Sequence, residues 1–332
     1  MSNPQWQQFL QTFVSSNHGD IKPPFSGSET VICDLSHLGL LQIDGADAFN
    51  FLQGQVTNDI KQLNGSAAHY TGYCNPKGRM LALFLAFAYQ DQIYLQMPKE
   101  LVEAVAKRLK MYVMRSKVVI QDISDRMIRI GLSGPKAEEL LGTLFSKVPQ
   151  NDYELVSLEN TRLLKLPSQH GRFEIFTDIN QAQSIWTSLA TDVNITDTNH
   201  WEWLEIQAGI PDVVTATQEE FVPQMLNLDL IGGINFKKGC YTGQEIVART
   251  HYLGSIKRRT YLAHLDHSSQ PKVGDNVLNG ANETVGKVVR SAAVPNGSGY
   301  DLLAEIRCES IENHRLSVNG NTLSIQSLPY AL

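Results

Sequence analysis

One pattern occurs twice and limits what this chain can become. Ile43-Asp44-Gly45-Ala46-Asp47-Ala48-Phe49-Asn50-Phe51-Leu52 lines up with Leu132-Ser133-Gly134-Pro135-Lys136-Ala137-Glu138-Glu139-Leu140-Leu141. In each copy an apolar strand runs into a glycine turn and then an amphipathic helix, with Pro135 expected at a first helical position. Both copies continue alike. The first predicts a strand over 80–89, a turn at Gln90-Asp91, a strand over 92–96 and a helix over 98–111. The second predicts strands over 162–166 and 172–176 about a turn at His170-Gly171, then a helix over 182–189. A β-α-β-β-α order with an antiparallel hairpin implies two ferredoxin-like α+β units.

After Leu253-Gly254 the texture changes. Short β-rich runs at 259–265, 285–289, 301–307 and 323–326 are separated by Pro271, Gly274-Asp275, Asn279-Gly280 and Pro295-Asn296-Gly297, which is turn chemistry. That pattern predicts a separate small antiparallel barrel. The expected organisation is a first α+β unit over 28–123, a second over 124–254, and the barrel over 255–332, with segments free to cross between the first two.

Composition narrows function. A chain of 332 residues has room for two or three domains, and 19% charged with 42% hydrophobic residues is ordinary globular composition. The net charge of −6 argues against a general nucleic-acid binder, for which a basic surplus is expected. No run of eighteen apolar residues occurs, so no membrane span is expected. The start, Met1-Ser2-Asn3-Pro4-Gln5-Trp6, has no basic region followed by an apolar core and predicts no secretory signal. Cys33, Cys74, Cys240 and Cys308 stand far apart without a C-x-x-C pair, against structural zinc, a disulfide framework or a cluster site. A cytoplasmic protein with reduced thiols and no stably bound metal is expected. Phosphate-loop and dinucleotide fingerprints are both missing, which disfavours nucleotide enzymes.

Chemistry concentrates in Lys237-Lys238-Gly239-Cys240-Tyr241-Thr242-Gly243-Gln244-Glu245. Thr242 and Glu245 have the spacing of a capping box, which makes Thr242 the expected N-cap, with Tyr241 and Ile246 as a hydrophobic staple. Cys240 then lies close to the positive end of a helix, between two glycines and beside two lysines. Those are the surroundings that expose a thiol and favour its thiolate, with Lys238 the expected cause. Cys33, Cys74 and Cys308 read as packing residues. His37 and His69 read as hydrogen-bonded core histidines, and Asp44 and Asp47 as acids at a helix start.

The run KKGCYTGQEIVAR at 237–249 resembles the signature of the YgfZ family of folate-binding proteins, in the superfamily of the glycine-cleavage T-protein, an aminomethyltransferase. Asp34-Leu35-Ser36-His37-Leu38-Gly39, Asp44-Gly45-Ala46-Asp47, Phe51-Leu52-Gln53-Gly54-Gln55, Thr57-Asn58-Asp59 and Cys74-Asn75-Pro76-Lys77-Gly78-Arg79-Met80 follow that superfamily's order. The resemblance implies two α+β units and a barrel in a ring around a central folate channel. It implies Cys240 and Lys238 as the reactive pair, with Gly239, Tyr241, Thr242, Gly243, Gln244, Glu245 and Arg249 holding the loop and Arg249 answering Glu245. Folate contacts are implied for Trp201, Gln207, Asn58, Asp59, Tyr73, Lys237 and Arg258.

Three departures matter. The aspartate pair of true aminomethyltransferases falls on Ala82 and Leu83, and an apolar residue cannot move a proton. Gln207 stands where the superfamily places a pterin-gripping glutamate, and Leu38 where some YgfZ members carry a second tryptophan. From Lys237 to Arg259, six cations (Lys237, Lys238, Arg249, Lys257, Arg258, Arg259) against Glu245 give a local charge of +5, suited to an anionic tail.

The expected function is therefore a tetrahydrofolate-binding accessory factor in assembly or repair of iron–sulfur proteins, also affecting iron–sulfur-dependent tRNA modification. Its expected partners are folate and iron–sulfur proteins or their assembly factors, with no direct nucleic-acid or membrane contact, as a monomer. The alternative is a folate-dependent aminomethyltransferase or other one-carbon transferase.

Overall fold

The computed structural model describes residues 3–16, 29–295, 297–311 and 315–332. Met1, Ser2 and Asn296, which figure in the start and turn readings above, lie outside the described residues. The chain forms two compact units, each drawn from several segments. One gathers Met1–Ala48, Gln62–His69 and Leu85–Trp201; the other gathers Phe49–Lys61, Tyr70–Phe84 and Glu202–Leu332.

The duplication is real in three dimensions. In the first copy the strand Gln92–Pro98 pairs antiparallel with both Met80–Tyr89 and Leu38–Asp44. In the second, Arg172–Thr177 pairs antiparallel with both Thr161–Leu166 and Ile128–Ser133. The glycine turn is the same object twice. Gly45 has φ +113° and Gly134 φ +127°, a conformation that only glycine adopts easily. In both turns the amide three residues on bonds back to the glycine carbonyl, Ala48 to Gly45 at 2.9 Å and Ala137 to Gly134 at 3.0 Å. The second helix runs Ala137–Leu144 with Lys136 as its N-cap, so Pro135 precedes the helix and is not its first residue. The predicted helix over 98–111 is a 3-10 turn, Lys99–Leu101, followed by the helix Val102–Val113.

The second copy sits in a six-stranded sheet ordered Asn194–Thr196, Val31–Asp34, Ile128–Ser133, Arg172–Thr177, Thr161–Leu166, Leu155–Leu158. Its core packs Ile130, Leu132, Phe173 and Ile175 against Leu141, Ile185 and Trp186 from the helices Ala137–Leu144 and Ile179–Leu189. The latter helix is capped by Asp178, whose carboxylate accepts the amides of Asn180 and Gln181. The helix Pro4–Ser16 adds Trp6, which donates its indole N–H to Asp34 Oδ1 at 2.8 Å.

The C-terminal region is the predicted antiparallel barrel, with seven strands. Their order is Asn321–Thr322, Ser317–Val318, Asn276–Leu278, Thr284–Ala293, Tyr300–Arg307, Arg258–Leu265, Ser324–Gln326. The two strands at opposite ends of that order are separated in sequence by Leu323 alone, so the sheet curls until it is nearly closed. Val277, Val285, Val288, Leu302, Ala304 and Ile306 fill the interior. Reading by runs alone found Ser324–Gln326 but missed Asn276–Leu278, Ser317–Val318 and Asn321–Thr322, which are too short to carry a period.

Candidate functional site

The cysteine loop is held from three sides by residues of its own unit. Lys238 is buried, and its ammonium donates to Gln53 O at 2.8 Å, Val56 O at 2.6 Å and Asn58 O at 2.7 Å. All three of its donors are thus used on backbone carbonyls. Burial pulls its pKa down to about 8, with the Asp59 carboxylate acting in the opposite sense. The ammonium also lies 5.1 Å from the centre of the Tyr241 ring. Tyr241 is buried, and burial pushes its phenol well above the ordinary range. Lys237 and Gly239, the neighbours of Lys238, and Cys240 itself are exposed. The loop therefore has an anchored residue on either side of an outward-facing thiol.

The helix after the loop starts later than the capping-box spacing predicts. It runs Gln244–Tyr252 with Gly243 as N-cap at φ +85°, and no side chain caps it. Thr242 is not the cap; its amide donates to Gly54 O at 3.2 Å, which ties the loop to the 53–58 segment. The staple positions move with the cap. Ile246 instead lies against Gly78, where an added Cβ would stand 2.8 Å from Ile246 Cβ. Among the described residues Glu245 and Arg249 make no ion pair, so the expected pairing one turn apart is not formed. Inside the helix start, Gln224 is fully buried and donates its amide to Val247 O at 2.7 Å. Phe236 stacks on His251 with ring centres 3.7 Å apart.

The predicted folate contacts divide into those already committed and those still open. Asn58 donates its amide to Tyr70 O at 2.9 Å and Gly232 O at 2.7 Å. Gln207 donates to Asp301 Oδ2 at 2.8 Å, beside Trp203 at 2.9 Å, while Asp301 Oδ1 meets His264 Nδ1 at 2.8 Å. Arg258 forms a fork on Glu305 and also donates to Val285 O at 3.1 Å. Arg259 is bound in both arms by Asp229, at 2.6 and 2.9 Å. Three of the six cations, Lys238, Arg258 and Arg259, are therefore spent inside the fold, leaving Lys237, Arg249 and Lys257 exposed. Tyr73 is buried and stacks with Phe84. Trp201, in the other unit, is buried against Gly131, where a Cβ would stand 2.5 Å from its ring, and its indole N–H has no partner.

The open groups fit a pterin in part. Asp59 receives Gln53 and the Lys61 amide on Oδ1, which leaves Oδ2 as an acceptor. Gln55 Oε1 is buried with no hydrogen-bond partner, as is Gln224 Oε1. Buried acceptors without donors are rare, so these two amide oxygens stand out in this unit. Gln55 and Gln224 were missed in the sequence. Gln55 lay within the Phe51-Leu52-Gln53-Gly54-Gln55 motif, but nothing in a sequence distinguishes an orphaned glutamine from a satisfied one. Ala82 and Leu83 are buried in the strand Met80–Tyr89 and bring no acid there. Among the described residues no cluster of His, Cys, Asp and Glu could hold a metal ion. No helix in them is long and apolar enough to cross a membrane.

Comparison with known proteins agrees with this architecture. The GCVT N-terminal domain family matches residues 27–231. The chain is 34% identical over 307 residues to the tRNA-modifying protein YgfZ of Enterobacter sp. (strain 638), covering 91% of this chain and 93% of that protein. It is 31% identical over 327 residues to the protein of that name from Yersinia pseudotuberculosis serotype IB (strain PB1/+), covering 94% and 96%. In fold it is similar to the glycine cleavage system aminomethyltransferase T from Bartonella henselae, with a TM-score of 0.71 at 15% identity, over 91% of this chain and 86% of that one. With a match of this extent and relatives at this identity across nearly its whole length, the chain belongs to the YgfZ family and carries the GCVT N-terminal domain.

Proposed function

We propose that this protein binds tetrahydrofolate and acts through Cys240 as an accessory factor for tRNA modification that depends on iron–sulfur proteins, in their assembly or repair. The observation that carries the reading is the anchored loop. Lys238 and Tyr241 are fixed below the surface while Cys240 stands exposed between Gly239 and Tyr241. A cysteine retained for packing would be buried, as Cys33 and Cys74 are. Lys238 supports the thiol by holding the loop, since its hydrogen bonds all go to carbonyls. Folate, when bound, would supply the one-carbon carrier. Gln55, Asp59 and Gln224 have acceptors open to orient the pterin, and Lys237 is an exposed cation of the motif.

An aminomethyltransferase is the weaker reading. That chemistry needs a group to take or give a proton, and the strand that would carry it is apolar at Ala82 and Leu83.

Two measurements test the proposal. Calorimetric titration with tetrahydrofolate should give saturable binding by the wild type, weakened by Gln55→Leu. Cells deprived of the protein and supplied with Cys240→Ala should fail to recover iron–sulfur-dependent tRNA nucleosides, while the purified variant binds folate as the wild type does. Recovery by Cys240→Ala would end the case for the thiol.

A further inference from the structure

The other unit carries a feature that folate binding does not use. The helix Val102–Val113 buries one stripe, Val102, Val105, Ala106 and Leu109, in its own unit. Its last turns and the following segment read Lys107-Arg108-Leu109-Lys110-Met111-Tyr112-Val113-Met114-Arg115-Ser116-Lys117. Five of these eleven residues are cationic and none is acidic, on a chain whose net charge is −6. Among the described residues none of the five side chains is held in a salt bridge or hydrogen bond, although the Lys117 amide donates to Asp47 Oδ2 at 2.7 Å.

Large hydrophobic side chains stand out in the same place. Met111 is 63% exposed, Tyr112 40% and Met114 89%. Met114 ends the helix at φ +45°, and the chain then turns to Lys117, whose carbonyl accepts the Asp47 amide at 3.3 Å. Lys107, Lys110, Met111 and Met114 recur at helical spacing and so share a face. Two or three cations at a helix C-terminus are explained by its dipole. Arg115 and Lys117 lie beyond the helix, and the exposed Met and Tyr gain nothing from a dipole. A lipid surface is the poorer fit, because the helix's apolar stripe is already buried and only Met111, Tyr112 and Met114 remain to insert.

We propose that this helix end is a docking surface for a single-stranded segment of RNA. The five cations would neutralise backbone phosphates, and the exposed Tyr112 ring offers a base a face to stack on, flanked by the adaptable thioethers of Met111 and Met114. The overall acidity that argues against nucleic acid in the sequence is an average. It does not describe a surface where five cations outnumber the neighbouring acids Asp47 and Glu103. The choice of RNA as the polyanion rests on the tRNA-modification reading above; folate binding plays no part in it.

The test is fluorescence anisotropy of a labelled single-stranded RNA of about 12 nucleotides, a length in the range of single-strand sites. It is titrated with the full-length protein across a series of salt concentrations. Wild type should bind saturably, with log K falling by about 0.7 per neutralised phosphate against log salt. The triple variant Lys107→Glu, Lys110→Glu, Arg115→Glu should bind at least about tenfold more weakly, with a shallower slope by about 2. Tyr112→Ala should weaken binding about tenfold at unchanged slope. Lys272→Glu, on the barrel, should bind as wild type. All these side chains except Tyr112 are freely exposed, so circular dichroism should report unchanged folding. Absence of saturable binding by the wild type at the lowest salt, or full binding by the triple variant, overturns the proposal. So does binding of phosphatidylserine vesicles or polyglutamate where RNA fails. The triple variant should retain tetrahydrofolate binding, so failure here and failure of the folate reading are separable.

Discussion

Gly243 and Gly78 meet backbone to backbone: a Cβ added to Gly243 would stand 3.0 Å from Gly78 Cα. The same Cβ would lie 2.6 Å from Asn75 O and 3.2 Å from Cys74 Cβ. Gly243 is also at φ +85°, so sterics and backbone conformation both require glycine. This contact sets where the helix after Cys240 begins and how the loop leaves the surface.

Gly243→Ala should therefore cost about 2–3 kcal/mol, from the positive φ together with the clash. Urea unfolding followed by circular dichroism measures it. Gly239→Ala is the comparison, since nothing lies within 4 Å of a Cβ there, and it should cost less than about 1 kcal/mol. Equal effects at the two positions would mean that the Gly78 contact is unimportant.

Lys238→Met keeps the stem but strips three backbone carbonyls of their donor, those of Val56 and Asn58 buried and that of Gln53 partly so. A loss of about 2–4 kcal/mol is expected, together with faster proteolysis within 236–243. Lys238→Arg should not restore the wild type, because a planar fork cannot point at three carbonyls arranged for an ammonium. Rescue by arginine would show that charge alone holds the loop.

Thiol reactivity should divide the four cysteines sharply. Burial pushes the Cys74 thiol up to about 12, and Cys33 is equally inaccessible, whereas Cys240 is open. At pH 8 a disulfide reagent should modify Cys240 first and leave Cys33 and Cys74 untouched until the protein unfolds. Cys74 also has a stability consequence. Its folded pKa lies above the ordinary thiol value of 9.0, so between about 9 and 12 the unfolded chain holds fewer protons than the folded one. Stability should fall as pH rises through that window, and Cys74→Ala should flatten the fall. Early modification of Cys74 at pH 8, by mass spectrometry, would contradict the buried setting.

Arg258→Gln should separate stability from ligand binding. It leaves the Glu305 carboxylate, which is 2% exposed, without its partner. A quarter of the Arg258 side chain is exposed, so the cost should be about 1–3 kcal/mol, below that of a fully buried pair. Tetrahydrofolate affinity should change little, because the guanidinium is already occupied. A large loss of affinity in a variant of near-normal melting temperature would return Arg258 to the ligand site.

The elements were legible where a period or a turn residue was long enough to register. The strand Met80–Tyr89 and the turn at Gln90 and Asp91, both at positive φ, follow from an apolar run and a two-residue turn. Thr242 and Glu245 misled, because capping-box spacing cannot reveal that Gly243 takes the left-handed conformation first. Arg258 and Arg259 misled for a different reason. Their charges were visible in the sequence, but Glu305 and Asp229, which consume them, are distant in the chain.

By itself, then, the sequence determined the repeated strand–glycine–helix units, the barrel and the identity of the cysteine loop, because those depend on local periodicity and on glycine positions. Tertiary structure decided what each polar side chain is free to do. Lys238 became a staple, Gln207 went to Asp301, and Gln55 and the Met111–Tyr112 end of a helix were left open. Such outcomes depend on which donors and acceptors the fold brings within about 3 Å, a distance no spacing along the chain encodes.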